Sequence, residues 1–150
     1  AGGQRWRLVR ASAILDPMPS PDPAALEAIA GALAAAMNAH DIDAFVSLFA
    51  PDYDSHQPVH PDRAFVGSDQ VRANWSSVFA DVPDFRADLI GTAVDANTLW
   101  SEWRWTGTHE DGSRLDLAGV IVCGVHAGQL TWARLYVESV ETGGEGSTRS

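Results

Sequence analysis

The chain predicts an α+β fold, three helices followed by an antiparallel sheet, and three observations carry that expectation. Before residue 83 apolar residues recur every three or four positions in capped segments, and after it they alternate in four runs bounded by tight-turn signals. Between the second and third helical segments, Pro51, Pro58 and Pro61 exclude a helix. Helices and strands segregated in this way pack as helices on one concave face of a curved sheet.

Taken in order, Asp22 caps the first helix and Pro23 suits its first position, after which Leu26, Ile29, Leu33 and Met37 share one face. Asp41 caps a short second helix with Phe45, Leu48 and Phe49 inward, and Pro51 stops it. DYDSHQPVHP then reads as irregular or strand-like. Gly67 and Ser68 open a third helix whose apolar face is Val71, Trp75, Val78 and Phe79, ended by Pro83. Strands are expected over about residues 85–94, 98–109, 113–123 and 129–140, with turns at Asp95-Ala96-Asn97, Asp111-Gly112 and His126-Ala127-Gly128. Residues 1–21 read as an N-terminal tail, 22–141 as a single domain, and 142–150 as a small polar disordered tail.

At 150 residues and 45% hydrophobic content the chain has apolar material for one real core. A formal net charge of −10 repels phosphate backbones, and the basic residues, all arginine, form no stripe, so nucleic acid is not expected as a partner. No apolar run approaches the roughly 18 residues of a membrane span, so no membrane partner is expected. The lone Cys123 can form neither an internal disulfide nor a cysteine zinc site; it reads as a small buried hydrophobe, and the chain as cytoplasmic. His56 and His60 are four apart, but the neighbouring prolines forbid the helix that would align them and no HExxH accompanies them, so no metal is expected. No Gly-rich fingerprint for a nucleotide or flavin is present, and any chemistry is expected to be cofactor-free.

The stretch SEWRWTGTHEDGSRLDLAG carries the candidate chemistry. Treating Asp111-Gly112 as a two-residue loop pairs Glu110 with Ser113. That register puts Ser101, Trp103, Trp105, Gly107 and His109 on one face with Arg114, Asp116, Ala118, Val120 and Val122, and a one-residue bulge would exchange the second set for its neighbours. On this expectation Asp116 shares a space with two tryptophans, where burial would raise its pKa toward that of a useful base. The bland alternative is an ion pair with Arg114 or Arg134.

The run ALAAAMNAHDIDAFVSLFAPDYDSHQP, with GSDQVRANW and the strand signatures WTGTH and GQLTWARLYVE, resembles the nuclear transport factor 2-like superfamily, and within it the SnoaL-like proteins, over roughly residues 24–140. The resemblance implies a curved sheet wrapped by three helices into a cone, an apolar pocket at its open end, and often a homodimer through the outer sheet face. Members include ketosteroid isomerases, limonene epoxide hydrolases, SnoaL-type polyketide cyclases and many domains without catalysis. In the isomerase pattern Leu33 and Gln57 stand where the oxyanion-hole tyrosine and the aspartate base belong, which argues against that mechanism. The epoxide hydrolase pattern falls on Trp103, Trp105 and Leu135, with Glu102 and Arg104 one residue away from a rescue. The cyclase pattern falls on Asp116 and His109.

The expected catalytic set is therefore Asp116, His56 and His109, with Asp54 orienting His56 from two residues upstream. The expected ligand pocket adds Asp54, Trp75, Trp103, Trp105, Val120 and Leu135. The function expected is acid/base chemistry of the cyclase, isomerase or lyase type on a small apolar carbonyl compound, by a homodimer. The alternatives are a non-catalytic ligand-binding or dimerising domain, and an epoxide hydrolase-like enzyme.

Overall fold

Residues 21–142 are described by the computed structural model, and the expectations placed on 1–20 and 143–150 lie outside them. Helix α1, Pro23–Ala39, starts where Asp22 accepts a hydrogen bond from Ala24 N at 3.1 Å. It ends at His40, whose left-handed backbone (φ 54°) lets its N–H reach the carbonyls of Ala36 and Met37. The short helix α2, Ile42–Val46, is capped by Asp41 on Ala44 N.

The first departure follows at once, because Phe49 does not continue α2 but begins strand β1, Phe49–His56. Pro51 lies inside this strand, where the register with its neighbour is irregular between Phe49 and Asp54, the place a residue without an N–H is tolerated. A single 3-10 turn, Pro61–Arg63, leads to the two-residue strand β2, Phe65–Val66, and then to α3, Ser68–Asp81.

Four long strands follow: β3 (Arg86–Asp95), β4 (Thr98–Thr108), β5 (Arg114–His126) and β6 (Gln129–Ser139). All six strands form one curved sheet in the order β2-β1-β6-β5-β4-β3, antiparallel throughout except that β1 runs parallel to β6. Thus two strands lie among the helices in sequence, and the helices still cover one sheet face. Leu26, Ile29, Leu33 and Met37 of α1, Phe45 of α2 and Val71 of α3 share a core with Ala87, Leu99, Trp103, Trp105, Cys123 and Ala133 of the sheet.

The hairpin between β4 and β5 corrects the expected register. His109 N bonds Ser113 O at 2.8 Å and Gly112 N bonds His109 O at 2.9 Å, so the loop holds three residues, Glu110, Asp111 and Gly112. Gly112 takes φ +89°, the left-handed position that closes a three-residue loop with a bulge, and Asp111 Oδ1 accepts from both Ser113 N and Ser113 Oγ. Trp105 therefore faces Leu117 and Trp103 faces Gly119, one residue away from the two-residue alignment. Every β5 side chain changes face as a result.

Candidate functional site

On the concave, helix-covered face, β1 contributes Tyr53 and Ser55, β4 contributes Ser101, Trp103 and Trp105, and β5 and β6 contribute Ile121 and Leu135, which are paired in the ladder. Helix α3 lays Trp75 against this face. Its ring meets Trp105 edge to face at 5.2 Å, Phe85 at 5.5 Å and Phe45 at 5.0 Å, and Trp103 lies 6.3 Å from Trp105. Such edge-to-face and tilted pairs match the ring quadrupoles and bury large apolar areas.

The polar groups of this face are neutral. Trp103 Nε1 donates to Ser101 Oγ at 2.8 Å, and Ser101 Oγ donates to Ile121 O. Tyr53 hydrogen-bonds Ser55, and burial holds its phenol well above the ordinary value. Burial likewise pushes the Cys123 thiol up to about 12, which keeps it an unreactive thiol at neutral pH. Among the described residues the buried polar side chains, tryptophan and tyrosine aside, are Ser55 and Ser101, and no aspartate, glutamate or histidine is buried. Sequence reasoning missed Tyr53 and Ser55; the signal was the alternation in YDSH itself, which turns them inward whenever Asp54 and His56 turn outward.

Asp116 lies on the opposite face. It stands beside Thr106 in the ladder and receives Arg104 Nε at 2.6 Å and Arg104 Nη2 at 2.9 Å, a two-point pair of the kind guanidinium geometry favours. The partner is Arg104, not Arg114 or Arg134. The hydrogen bonds from Arg104 hold the Asp116 carboxyl below its ordinary value of 3.8, opposite to the rise expected from burial. Val120 shares this outer face, paired with Glu102 and Tyr136, and so is not a concave-face residue either. Glu102 and Arg104 alternate with buried Trp103 and Trp105 along β4 and lie on the outer face, so the local shift that the epoxide hydrolase pattern required is absent.

His56 and Asp54 also face outward, on either side of buried Ser55. Their side chains are 3.1 Å apart and each half exposed, so Asp54 does orient His56, at the surface. His109 sits on the helix side at the rim, where its Nδ1 meets Asp81 Oδ2 at 2.7 Å; this contact comes first among the causes that lower the Asp81 pKa. Asp116, His56 and His109 thus have three different carboxylate or guanidinium partners and do not converge.

A shallow, open groove of about 470 Å³ lies elsewhere, lined by Asn38, His40, Pro83, Asp84, Phe85 and Arg86. Its polar groups are occupied: Asn38 holds both backbone groups of Ala87, His40 Nε2–H donates to Phe85 O, and Asp84 accepts from Thr108 N. No group of three or more histidine, cysteine or acidic side chains among the described residues is placed to hold a metal. No helix among them is long and apolar enough to cross a membrane.

Residues 30–133 match the family model for the SnoaL-like domain. Solved structures share the fold at low identity. A SnoaL-like protein of unknown function from Burkholderia thailandensis is 20% identical with a TM-score of 0.67, covering 81% of this chain and 100% of that one. An LEH-like epoxide hydrolase of M. tuberculosis is 15% identical, with a TM-score of 0.68 and coverage of 79% and 86%. A hypothetical protein with a ketosteroid isomerase-like fold from Catenulispora acidiphila, in complex with trimethylamine, is 16% identical, with a TM-score of 0.65 and coverage of 75% and 85%. No curated protein matches the chain significantly.

Proposed function

We propose, because the chain belongs to the SnoaL-like domain family, that it is a homodimeric cytoplasmic domain that binds a small apolar molecule on its concave aromatic face without acid/base catalysis there. The observation that carries this reading is the absence of any buried carboxylate or imidazole among the described residues, while tryptophan, phenylalanine and aliphatic side chains crowd that face. Pockets of this composition recognise shape and apolar area, with a few polar groups for orientation. The homodimer rests on the outer face, where Trp100 and Tyr136 remain 44% and 41% exposed beside Val120 and Val122 in adjacent ladder rows. Titration of the 15N-labelled chain with indane tests the binding reading: saturable shifts of the Trp75, Trp103 and Trp105 indole resonances support it, and unchanged resonances up to the solubility limit overturn it.

A second reading keeps acid/base chemistry but moves it to the rim. The 2.7 Å contact from Asp81 fixes the His109 ring through Nδ1 and leaves Nε2 for a substrate proton. Here Asp116 has no part, and the base is the histidine. A ketone and epoxide screen, followed by His109→Gln, decides it: a turnover that falls roughly 10²-fold or more in the variant supports catalysis, and a turnover unaffected by the change excludes this dyad.

A further inference from the structure

Near the end of α1, Asn38 stands in for a neighbouring strand at one point of the sheet. Its side-chain amide accepts from Ala87 N at 2.7 Å and donates to Ala87 O at 2.9 Å, and His40 Nε2–H donates to Phe85 O just before it. These contacts close the start of β3, the last strand of the sheet on that side among the described residues. They also fix the phase of the ladder. Ala87 turns its backbone groups away from β4, so Leu89 does too, and beyond the register shift between Leu89 and Gly91 the same holds for Thr92 and Val94. Residues 89–94, Leu-Ile-Gly-Thr-Ala-Val, include no charged side chain to guard this edge; Ile90 is 58% exposed, and Gly91, Thr92 and Ala93 are exposed with it. An open, uncharged edge of this kind is a template for a further strand.

We infer that the occupant is the chain's own N-terminal segment, residues 5–9, paired with residues 89–94 of β3. Residues 21–142 carry 18 acidic side chains against six arginines, whereas residues 1–20 carry three arginines and one aspartate, so the segment and the domain attract each other. In Arg5-Trp6-Arg7-Leu8 basic and apolar residues alternate, and an extended backbone sends them to opposite faces. The edge is divided in the same way. Its outer side carries Asp88, which is held by Arg86, and Glu102, which lies opposite Gly91, where a side chain would meet only open space. On its covered side Leu89 and Val94 are half-buried against the core. Arg5 and Arg7 therefore lie over the acidic side, and Trp6 and Leu8 extend the apolar layer. Reach is ample, since residues 10–22 extended span about 40 Å and the whole of β3 about 33 Å. A second copy pairing β3 with β3 is disfavoured, because it would bring two acidic edges together.

Amide hydrogen exchange on the full 15N-labelled chain makes the test, with Thr92 and Val94 as reporters and the β4-facing amides of Gly91 and Ala93 as controls. In the wild type the reporter amides are expected to be protected and to show cross-strand nuclear Overhauser contacts with residues 5–9. Leu8→Pro, which removes a backbone N–H from the segment, and the triple variant Arg5→Glu, Arg7→Glu, Arg10→Glu are each expected to speed reporter exchange roughly 10-fold or more while the controls stay slow. Both alter residues outside the described core. Unprotected reporters in the wild type overturn the inference. Protection that survives either variant also overturns it; if that protection rises with protein concentration, the edge belongs to a second copy. Should Leu8→Pro disturb the fold, the wild-type contacts between residues 5–9 and β3 decide alone, and their absence overturns the inference.

Discussion

Toward the helices β4 shows Ser101, Trp103, Trp105 and Gly107, all buried; toward the other side the same strand shows Glu102, Arg104, Thr106 and Thr108. The contrast continues across the ladder, where Leu117, Gly119 and Ile121 lie behind the tryptophans while Asp116, Ala118 and Val120 lie behind the charged residues. Both faces are partly apolar, so hydrophobicity alone separates them poorly. Charge separates them cleanly, since an unpaired charge on the covered face would lose its hydration with nothing to replace it. On the open face Arg104 and Asp116 keep water on one side and each other on the other, at side-chain exposures of 44% and 26%.

The largest effect that would test this contrast is Trp103→Ala. Trp103 is 1% exposed, and truncating a buried tryptophan costs about 3–5 kcal/mol, enough to threaten a fold of this size; urea denaturation of wild type and variant measures it. On the outer face Trp100→Glu is expected to leave monomer stability within about 0.5 kcal/mol, while shifting self-association by about 2 kcal/mol or more if Trp100 anchors a dimer. Sedimentation over a concentration series reads the second number, and an unchanged association constant would remove the outer face as the interface. Next in size is Ser101→Ala, which strands the Trp103 N–H and is expected to cost about 1–3 kcal/mol, measured by the same urea transition. A neutral result there would mean that the buried polar pair is not what organises the inner face.

How much of this could be read in advance depends on where the information sits. The caps at Asp22 and Asp41 and the four-strand succession were legible because each is written in a few adjacent residues with a local physical cause. The parallel pairing of β1 with β6 was not, since Ser55 and Ala133 meet across the chain and no local pattern encodes it. The hairpin is the instructive case. Asp111-Gly112 signals a turn correctly, but a two-residue loop and a three-residue loop with a bulge share that dipeptide, and choosing between them moves Asp116 from one face to the other. The content of LDLAGVIV held the clue, because leucine at 117 and isoleucine at 121 suit a covered face better than aspartate at 116 does. The rim contact between His109 and Asp81 joins a strand end to a helix end and was likewise invisible to periodicity.

The smallest effect sharpens the comparison most, because its sign depends on the face. Arg104 holds the Asp116 carboxyl below 3.8, so between that lowered value and the ordinary one the folded state binds fewer protons than the unfolded chain. The pair's contribution is therefore fully present above about pH 4, and it is lost as pH falls through the lowered value. Asp116→Asn has no such titration. The difference in urea midpoint between wild type and Asp116→Asn is expected to be small at pH 7, to shrink below about pH 4, and to fall further in high salt, which screens a pair this exposed. A carboxylate on the covered face would do the reverse: its pKa would be raised by burial, and its removal would stabilise the protein at neutral pH. A carbon-13 titration of the Asp116 carboxyl that gave a value above 3.8 would break the assignment of faces at its most exposed point, and with it the argument that the concave side is free of acid/base groups.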